Sequence, residues 1–304
     1  MLNFTLQCTG ADFSVDAQDV EDEDQWPQRL EDLQSAHLDE QPADYPLISR
    51  DKAYRSFRQT VEDFCESLIE GLHRSALLYD AEEKIGSKLQ SWLGSMADGG
   101  NRAFRHTAVV LSISMASALC DIADEITSSV STSRKQLESE KRKKTPNKGR
   151  INTIQTSIRE NEERLETIDG ILRDGFDALW IHRYRDIDPK IRTECFVGLA
   201  RWIQTYRQMF FESQYVRYLG WGLSDMVTQV RAAVVQQLRR IYELKSSVAA
   251  LRTFTGRFLR RLIEMATRDA DVGVRVSTVE LLGSIRDMGL MEGEDVDAVG
   301  QLVF

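Results

Sequence analysis

Residues 186–199 read DIDPKIRTECFVGL, residues 225–238 DMVTQVRAAVVQQL and residues 269–282 DADVGVRVSTVELL. Three marks hold their places in each stretch. An aspartate opens it (Asp186, Asp225, Asp269), and an apolar residue followed by arginine stands five positions on (Ile191-Arg192, Val230-Arg231, Val274-Arg275). A leucine stands eight beyond the apolar residue (Leu199, Leu238, Leu282). The copies are offset by 39 and 44 residues, close to the roughly 40–47-residue period of HEAT and armadillo helix pairs. One helical hairpin cannot bury its own apolar face, so such units stack side by side. The stretch from Asp174 to Leu290 is therefore expected to pair Asp174–Arg185 with Pro189–Phe210, Gln214–Leu223 with Val227–Tyr242, and Ser246–Arg268 with Val272–Met288. Each aspartate precedes its second helix, placed to cap free N–H groups and to meet the arginine of its own or a neighbouring repeat. These residues are read as structural.

The rest of the composition agrees with helices. Only 5 of 304 residues are proline and 29% are charged, which favours helix over strand and turn. The four cysteines (Cys8, Cys65, Cys120, Cys195) form no CxxC or Cys/His cluster, so a reduced, intracellular protein without a zinc site is expected. The apolar run Ala108 to Cys120 is broken by serines and too short to span a bilayer, and no signal peptide is read, so no membrane partner is expected. The net charge of -9 is unevenly placed. Residues 1–50 hold 12 acidic side chains against Arg29 and Arg50, leaving 36 acidic and 37 basic residues elsewhere. An anionic partner is therefore not excluded.

Working outward from the repeats, residues 1–50 read as a truncated helix (Met1 to Cys8) followed by an acidic connector, with Trp26 and Leu33 as anchors for short helical turns. Residues 51–173 form a helical region. A long amphipathic helix is expected from Lys52 to Tyr79 and a second from Glu82 to Met96, stopped by Asp98-Gly-Gly-Asn101. A hairpin at about 102–173 follows. Met115, Leu119, Ile122, Ile126, Val130 and Leu137 mark one arm, and Ile151, Ile154, Ile158, Leu165, Ile168 and Leu172 the other, with Asn161 the polar member of that seam. This is a heptad signature over about three repeats, the pattern of a short antiparallel coiled coil. Residues 174–304 carry the repeats. The fold class expected is all-α, an α-solenoid of HEAT-like helix pairs with a protruding antiparallel helical hairpin.

Catalytic chemistry is not found. There is no GxxxxGK[ST], and Gly220-Trp-Gly222 is a lone GxG in helical surroundings. His37, His73, His106 and His182 are scattered, and Asp269-Ala-Asp271 lacks the remaining ligands of a calcium loop. No enzyme, cofactor or metal site is expected. Two features point to binding instead. The hairpin tip carries Lys141, Arg142, Lys143, Lys144, Lys148 and Arg150, which read as phosphate contacts to DNA, as a solvated loop or as a nuclear-import signal. Tyr215-Val-Arg-Tyr-Leu-Gly-Trp221, with His182-Arg-Tyr-Arg185 and Phe254-Thr-Gly-Arg257-Phe258, sets arginines beside aromatics. That combination can anchor short peptides, although spacing alone favours packing between repeats. From 183 to 275 the chain has 17 basic and 9 acidic residues, so this face is a further candidate for holding DNA.

These last three motifs, in this order with Val230-Arg231, closely resemble the stromalin conservative domain of the stromal-antigen (STAG) subunits of cohesin. Phe104-Arg-His-Thr-Ala108 with the basic-tipped hairpin resembles the STAG domain that precedes it, and Asn3 to Cys8 and Asp44-Tyr-Pro-Leu47 fit the family's N-terminal segment. The resemblance covers nearly the whole chain and the N-terminal part of a longer family member. It implies a non-enzymatic, chromatin-associated nuclear scaffold in sister-chromatid cohesion, with double-stranded DNA and the kleisin subunit as partners. The family's main kleisin surface lies largely beyond Phe304. It also implies that regulators with short aromatic motifs dock on Arg185, Arg217, Tyr218, Trp221 and Arg257, at a pocket completed partly by kleisin. The contrasting reading is a HEAT adaptor without DNA binding, such as a transport receptor or phosphatase scaffold.

Overall fold

A computed structural model of the chain describes residues 1–16, 25–39, 44–82, 84–244, 248–291 and 293. They divide into two compact units, Met1–Arg183 and Tyr184–Phe304. Among the described residues the regular structure is helical, without strands.

In the first unit, α1 (Leu2–Gln7), α2 (Trp26–Asp39), α3 (Phe57–Arg74) and α4 (Ile85–Asp98) gather round the first half of α5 (Arg102–Lys141), which α6 (Lys148–Gly175) follows. Asn101 starts α5 from an extended backbone, its side-chain oxygen accepting the Ala103 and Phe104 N–H groups (2.9 and 3.5 Å). Ala103 to Ser112 are buried without interruption, as expected of a helix enclosed on every side. Beyond Cys120 burial narrows to a stripe through Ile122, Ala123, Ile126, Val130 and Leu137, and the helix becomes a hairpin arm. An 18-residue window of α5, longer than the run Ala108 to Cys120, is apolar and long enough to cross a membrane by length and composition alone. That window is 83% buried inside the unit, as a core helix would be.

The hairpin forms with the expected faces, although Ile151, Ile154 and Leu165 are only half-buried while Ile158, Ile168 and Leu172 are buried. Arg134 on α5 reaches Glu162 on α6 (2.5 Å) and ties the arms together. Elsewhere the elements depart from expectation. The acidic connector contains the 14-residue helix α2, with Trp26, Leu30, Leu33, Gln34 and His37 buried on one face. Four-residue and three-residue steps link those positions, a helical period obscured in the sequence because Gln34 and His37 on it are polar. The helix expected from Lys52 to Tyr79 is split. Single 3₁₀ turns stand at Lys52–Tyr54 and Leu77–Tyr79, and Ala76 (φ 62°) stops α3 in a left-handed conformation. Tyr54 and Phe64, large apolar residues within that expected amphipathic helix, are exposed. Three of the four histidines act as packing partners: His37 meets Asn101 Nδ2 (2.8 Å), His106 the Tyr45 hydroxyl (2.9 Å) and His73 the Tyr79 hydroxyl (2.5 Å).

The second unit is two layers deep. Helices α7 (Pro189–Thr205), α10 (Thr228–Tyr242) and α12 (Val272–Asp287) lie side by side in one layer. Helices α9 (Ser213–Gly222) and α11 (Val248–Arg268) cover them in the other, after the short α8 (Arg207–Phe210). Tyr206, at φ -108° and ψ 74°, breaks the expected single helix Pro189–Phe210 into α7 and α8. The first helix of repeat one is not a separate rod either: α6 runs to Gly175 and continues as a π turn, Phe176–Trp180. Residues 245–247, in the expected Ser246–Arg268 helix, lie outside the described residues.

The recurring aspartates and arginines fasten one repeat to the next. Arg192 grips Asp225 with two parallel hydrogen bonds (Nε to Oδ2 2.7 Å, Nη2 to Oδ1 2.8 Å), and Arg231 grips Asp269 the same way (both 2.7 Å). The third guanidinium nitrogen, Nη1, turns back to its own repeat's loop. Arg192 reaches the Asp186 carbonyl (2.7 Å), Arg231 the Asp225 carbonyl (2.9 Å) and Arg275 the Asp269 carbonyl (2.7 Å). The carboxylates of Asp225 and Asp269 therefore meet the arginine of the preceding repeat, and only the backbone carbonyls meet their own. The Oδ1 of each recurring aspartate also accepts the N–H two residues on, in Asp188, Val227 and Asp271 (2.9, 2.8 and 3.0 Å). Capping proper falls to Asp188 and Asp271, which accept from Lys190 and Val274 N–H (2.7 and 3.0 Å). Arginine's planar fork makes this two-sided grip possible.

Candidate functional site

Two places gather the residues singled out for binding, one in each unit. The first is the hairpin tip. Residues 141–150 are all exposed, and the turn between the arms spans residues 142–147. The turn closes on Glu140, whose carboxylate is shielded by the tip itself. It accepts from Lys143 Nζ (2.6 Å) and from the Asn147 N–H (3.3 Å), with Arg150 Nε at 3.7 Å. The hydrogen bond from Lys143 holds Glu140 below the usual carboxylate range, with the Asn147 N–H adding to it. Asn147 caps α6 by accepting the Arg150 N–H (3.1 Å). Lys141 stands 3.9 Å from Glu138. The six cations are thus not equivalent. Lys141, Lys143 and Arg150 have carboxylates on their own hairpin, whereas Arg142, Lys144 and Lys148 have none among the described residues.

The second place is the outer face of α9. Trp221 is 39% exposed, and Tyr218 lies edge-on to it with centroids 4.9 Å apart. Arg217, one turn back from Trp221, lies over both rings (5.4 Å from Tyr218, 5.3 Å from Trp221). Tyr184 completes the group, edge-on to Tyr218 (5.1 Å), near-parallel to Trp221 (6.4 Å) and covered by Arg185 (5.3 Å). Burial pushes the Tyr184 phenol upward, with Arg185 opposing that shift. The structure thus brings together Arg185, Arg217, Tyr218 and Trp221. Arg257 is exposed on the neighbouring α11, over the ring of Phe258 at 5.4 Å.

The glycines beside Trp221 explain why its indole is on the surface. A Cβ on Gly220 would lie 2.2 Å from the Phe258 ring, and one on Gly222 would lie 2.8 Å from Val234 and 2.9 Å from Phe196. Helix α9 is thus pressed against its neighbours through two bare backbone positions, which leaves Trp221 between them facing outward. The Gly-x-Gly is a packing device. Tyr184 belongs to the same face but was not singled out from the sequence. It sits inside the His182 to Arg185 motif, 34 residues from Tyr218, and no helical period links the two.

Comparison with known proteins places these features in a family. The STAG domain matches residues 43–157 and the stromalin conservative domain residues 185–259. The chain is similar to the cohesin subunit psc3 of Schizosaccharomyces pombe, 35% identical over 100% of this chain and 31% of the relative. It is 31% identical to the human cohesin subunit SA-3, over 88% of this chain and 22% of that protein. Among solved structures, the cohesin subunit Scc3 from Z. rouxii superposes with a TM-score of 0.87 at 26% identity, covering 100% of this chain and 35% of that one. The chain spans about a third or less of the length of these relatives. They belong to a family of scaffold subunits, not enzymes. With both characteristic domains matched in order, and relatives aligned along its entire length, this chain belongs to the stromalin (STAG) family of cohesin subunits.

Proposed function

We propose that the chain acts as a scaffold segment of a cohesin subunit in sister-chromatid cohesion, on chromatin in the nucleus, docking regulators and contacting DNA without reading its sequence. The observation that carries this reading is the exposed aromatic group on α9, with Trp221, Tyr218 and Tyr184 overlaid by Arg217 and Arg185. Flat rings roofed by guanidinium groups offer stacking, cation–π and charged hydrogen bonds in one place, which suits an aromatic side chain on a short peptide. Arg257, on the adjacent helix, is assigned to the rim. Kleisin is the proposed partner in the complex, with its main surface outside this chain and part of it completing the α9 pocket. The units proposed for these tasks are a STAG-type region at 51–173 and a stromalin conservative region at 174–304.

The test is peptide titration in the presence of kleisin. Trp221→Ala and Arg257→Glu should each abolish binding of aromatic-motif peptides while leaving helicity intact; wild-type affinity in both variants would end the assignment. For DNA, the supporting feature is the set of exposed cations without a carboxylate partner, Arg142, Lys144 and Lys148. Neutralising Lys141 to Lys144 together with Lys148 should weaken duplex binding and flatten its salt dependence, since each lost phosphate contact removes about 0.9 from the slope. An unchanged slope would favour an adaptor that binds only protein, a reading to which the internal pairing of Lys143 and Arg150 with Glu140 lends weight.

A further inference from the structure

The tip carries one group that the DNA reading does not use. Of the five prolines, four follow Trp26, Gln41, Tyr45 and Asp188, so Thr145-Pro146 is the one Ser/Thr-Pro step in the chain. Thr145 stands between the two arms, exposed, in the non-helical turn of residues 142–147. Its hydroxyl has no hydrogen-bond partner among the described residues. Pro146 lacks an N–H to satisfy and biases the residue before it towards extended backbone. An enzyme that grips its acceptor as an extended strand can therefore take Thr145 without unwinding either arm. Lys148, two residues past the proline, offers a cation to an acidic pocket on such an enzyme.

We propose that Thr145 is a phosphoacceptor for a proline-directed serine/threonine kinase that also selects the basic residue after the proline, and that its phosphorylation turns off anion binding at the hairpin tip. The first part stands on the tip alone; the second rests on the DNA reading above. In the transfer, Thr145 Oγ1 bonds to the γ-phosphorus of a nucleoside triphosphate as the bond to the bridging oxygen breaks. The nucleoside diphosphate leaves, and the hydroxyl proton passes to the kinase's carboxylate base. The product adds about 1.5 to 2 negative charges at neutral pH. They fall beside Arg142, Lys144 and Lys148, the cations with no carboxylate partner among the described residues. Pairing about two of them removes that many DNA phosphate contacts, about tenfold or more in affinity at ~0.1 M salt. The hairpin itself should persist, because Glu140 and Asn147 hold the turn and the new charge lies near the positive end of α6.

The experiment incubates the whole chain with a purified cyclin-dependent kinase and magnesium ATP, maps the phosphate by mass spectrometry, and titrates duplex DNA before and after. Near-stoichiometric phosphate on Thr145 is expected, lost in Thr145→Ala and Pro146→Ala and reduced in Lys148→Ala. DNA affinity should fall about tenfold and the salt slope by about two, with the melting temperature unchanged. No phosphate on Thr145, or labelling that ignores Pro146→Ala, overturns the acceptor site. Modified protein that binds DNA as before, when neutralising the tip cations weakens binding, overturns the switch. If neither modification nor neutralisation alters DNA binding, the DNA reading falls and the switch with it, while the acceptor site stands on its mass map.

Discussion

The arginines of the repeat ladder and those of the hairpin tip are chemically identical and have opposite fates. Arg192 and Arg231 are almost wholly enclosed, each holding an aspartate of the next repeat with two bonds and a loop carbonyl of its own repeat with a third. Arg142 is exposed and has no carboxylate among the described residues. Guanidinium chemistry does not set the difference; the geometry around it does. At 9% exposure for the Arg231 side chain and 3% for that of Asp269, both groups have given up water, so each depends on the other. At the tip, water still hydrates the charge and a partner remains optional. An enclosed arginine is a fastening, and an exposed unpaired one is a contact in waiting.

The sharpest way to break this contrast is to remove one member of the ladder. Arg231→Ala should cost about 3–5 kcal/mol, because it strands Asp269 as a buried charge, read as a lower urea midpoint at unchanged m-value. A loss below about 1 kcal/mol, the level of surface ion pairs, would show that the enclosure is not as tight as the geometry indicates. Gly220→Ala comes next. Alanine gains up to about 1 kcal/mol of helix propensity over glycine, but its methyl would sit 2.2 Å from the Phe258 ring. Overpacking of that kind costs about 1–3 kcal/mol, so a net loss is expected, with displaced Trp221 fluorescence. A stabilised variant would mean that Phe258 can swing aside.

Acid sharpens the comparison further. The hydrogen bonds from Arg231 hold the Asp269 carboxyl below the usual carboxylate range. A group lowered on folding contributes stability that is fully present above its unfolded value of about 4 and is lost as pH falls through the lowered folded value. Urea midpoints measured from pH 6 to pH 2 should therefore fall through the acid range, and Asp269→Asn, less stable throughout, should flatten that part of the profile. Smallest of all is Arg142→Ala, expected within about 0.5 kcal/mol of wild type as an exposed substitution touching no fastening. Its effect belongs in the DNA titration.

Much of this was legible. The Asp, apolar-Arg and leucine register identified the repeats because stacking imposes a period on sequence, and the heptads and the glycine stop at Asp98 to Asn101 fell where short-range physics puts them, whereas capping fell to Asp188 and Asp271 and not to the recurring aspartates. The misses share another origin. Helix α2 was missed because two of the five buried positions that seat it, Gln34 and His37, are polar, and the break at Tyr206 has no glycine or proline to announce it. The packing role of Gly220 and Gly222 was invisible because the atoms they avoid, on Phe196, Val234 and Phe258, lie 12 to 38 residues away in the chain. Tyr184 was passed over for the same reason: its partners come from another helix.

The amino-acid sequence by itself determined that the chain is helical, where its repeats fall, that a basic-tipped hairpin precedes them, and which family carries that order of motifs. These follow from local propensity, capping and periodicity, which act over a few turns of chain. Only the tertiary structure decided which arginine answers which aspartate, that each rung runs forward to the next repeat, and which of six tip cations are already paired. It also decided that Trp221 faces outward under Arg217 and beside Tyr184. The reason is distance. A charge or a ring acquires its energy from what stands within a few ångströms, and for these residues those neighbours are brought there by packing, not by sequence proximity.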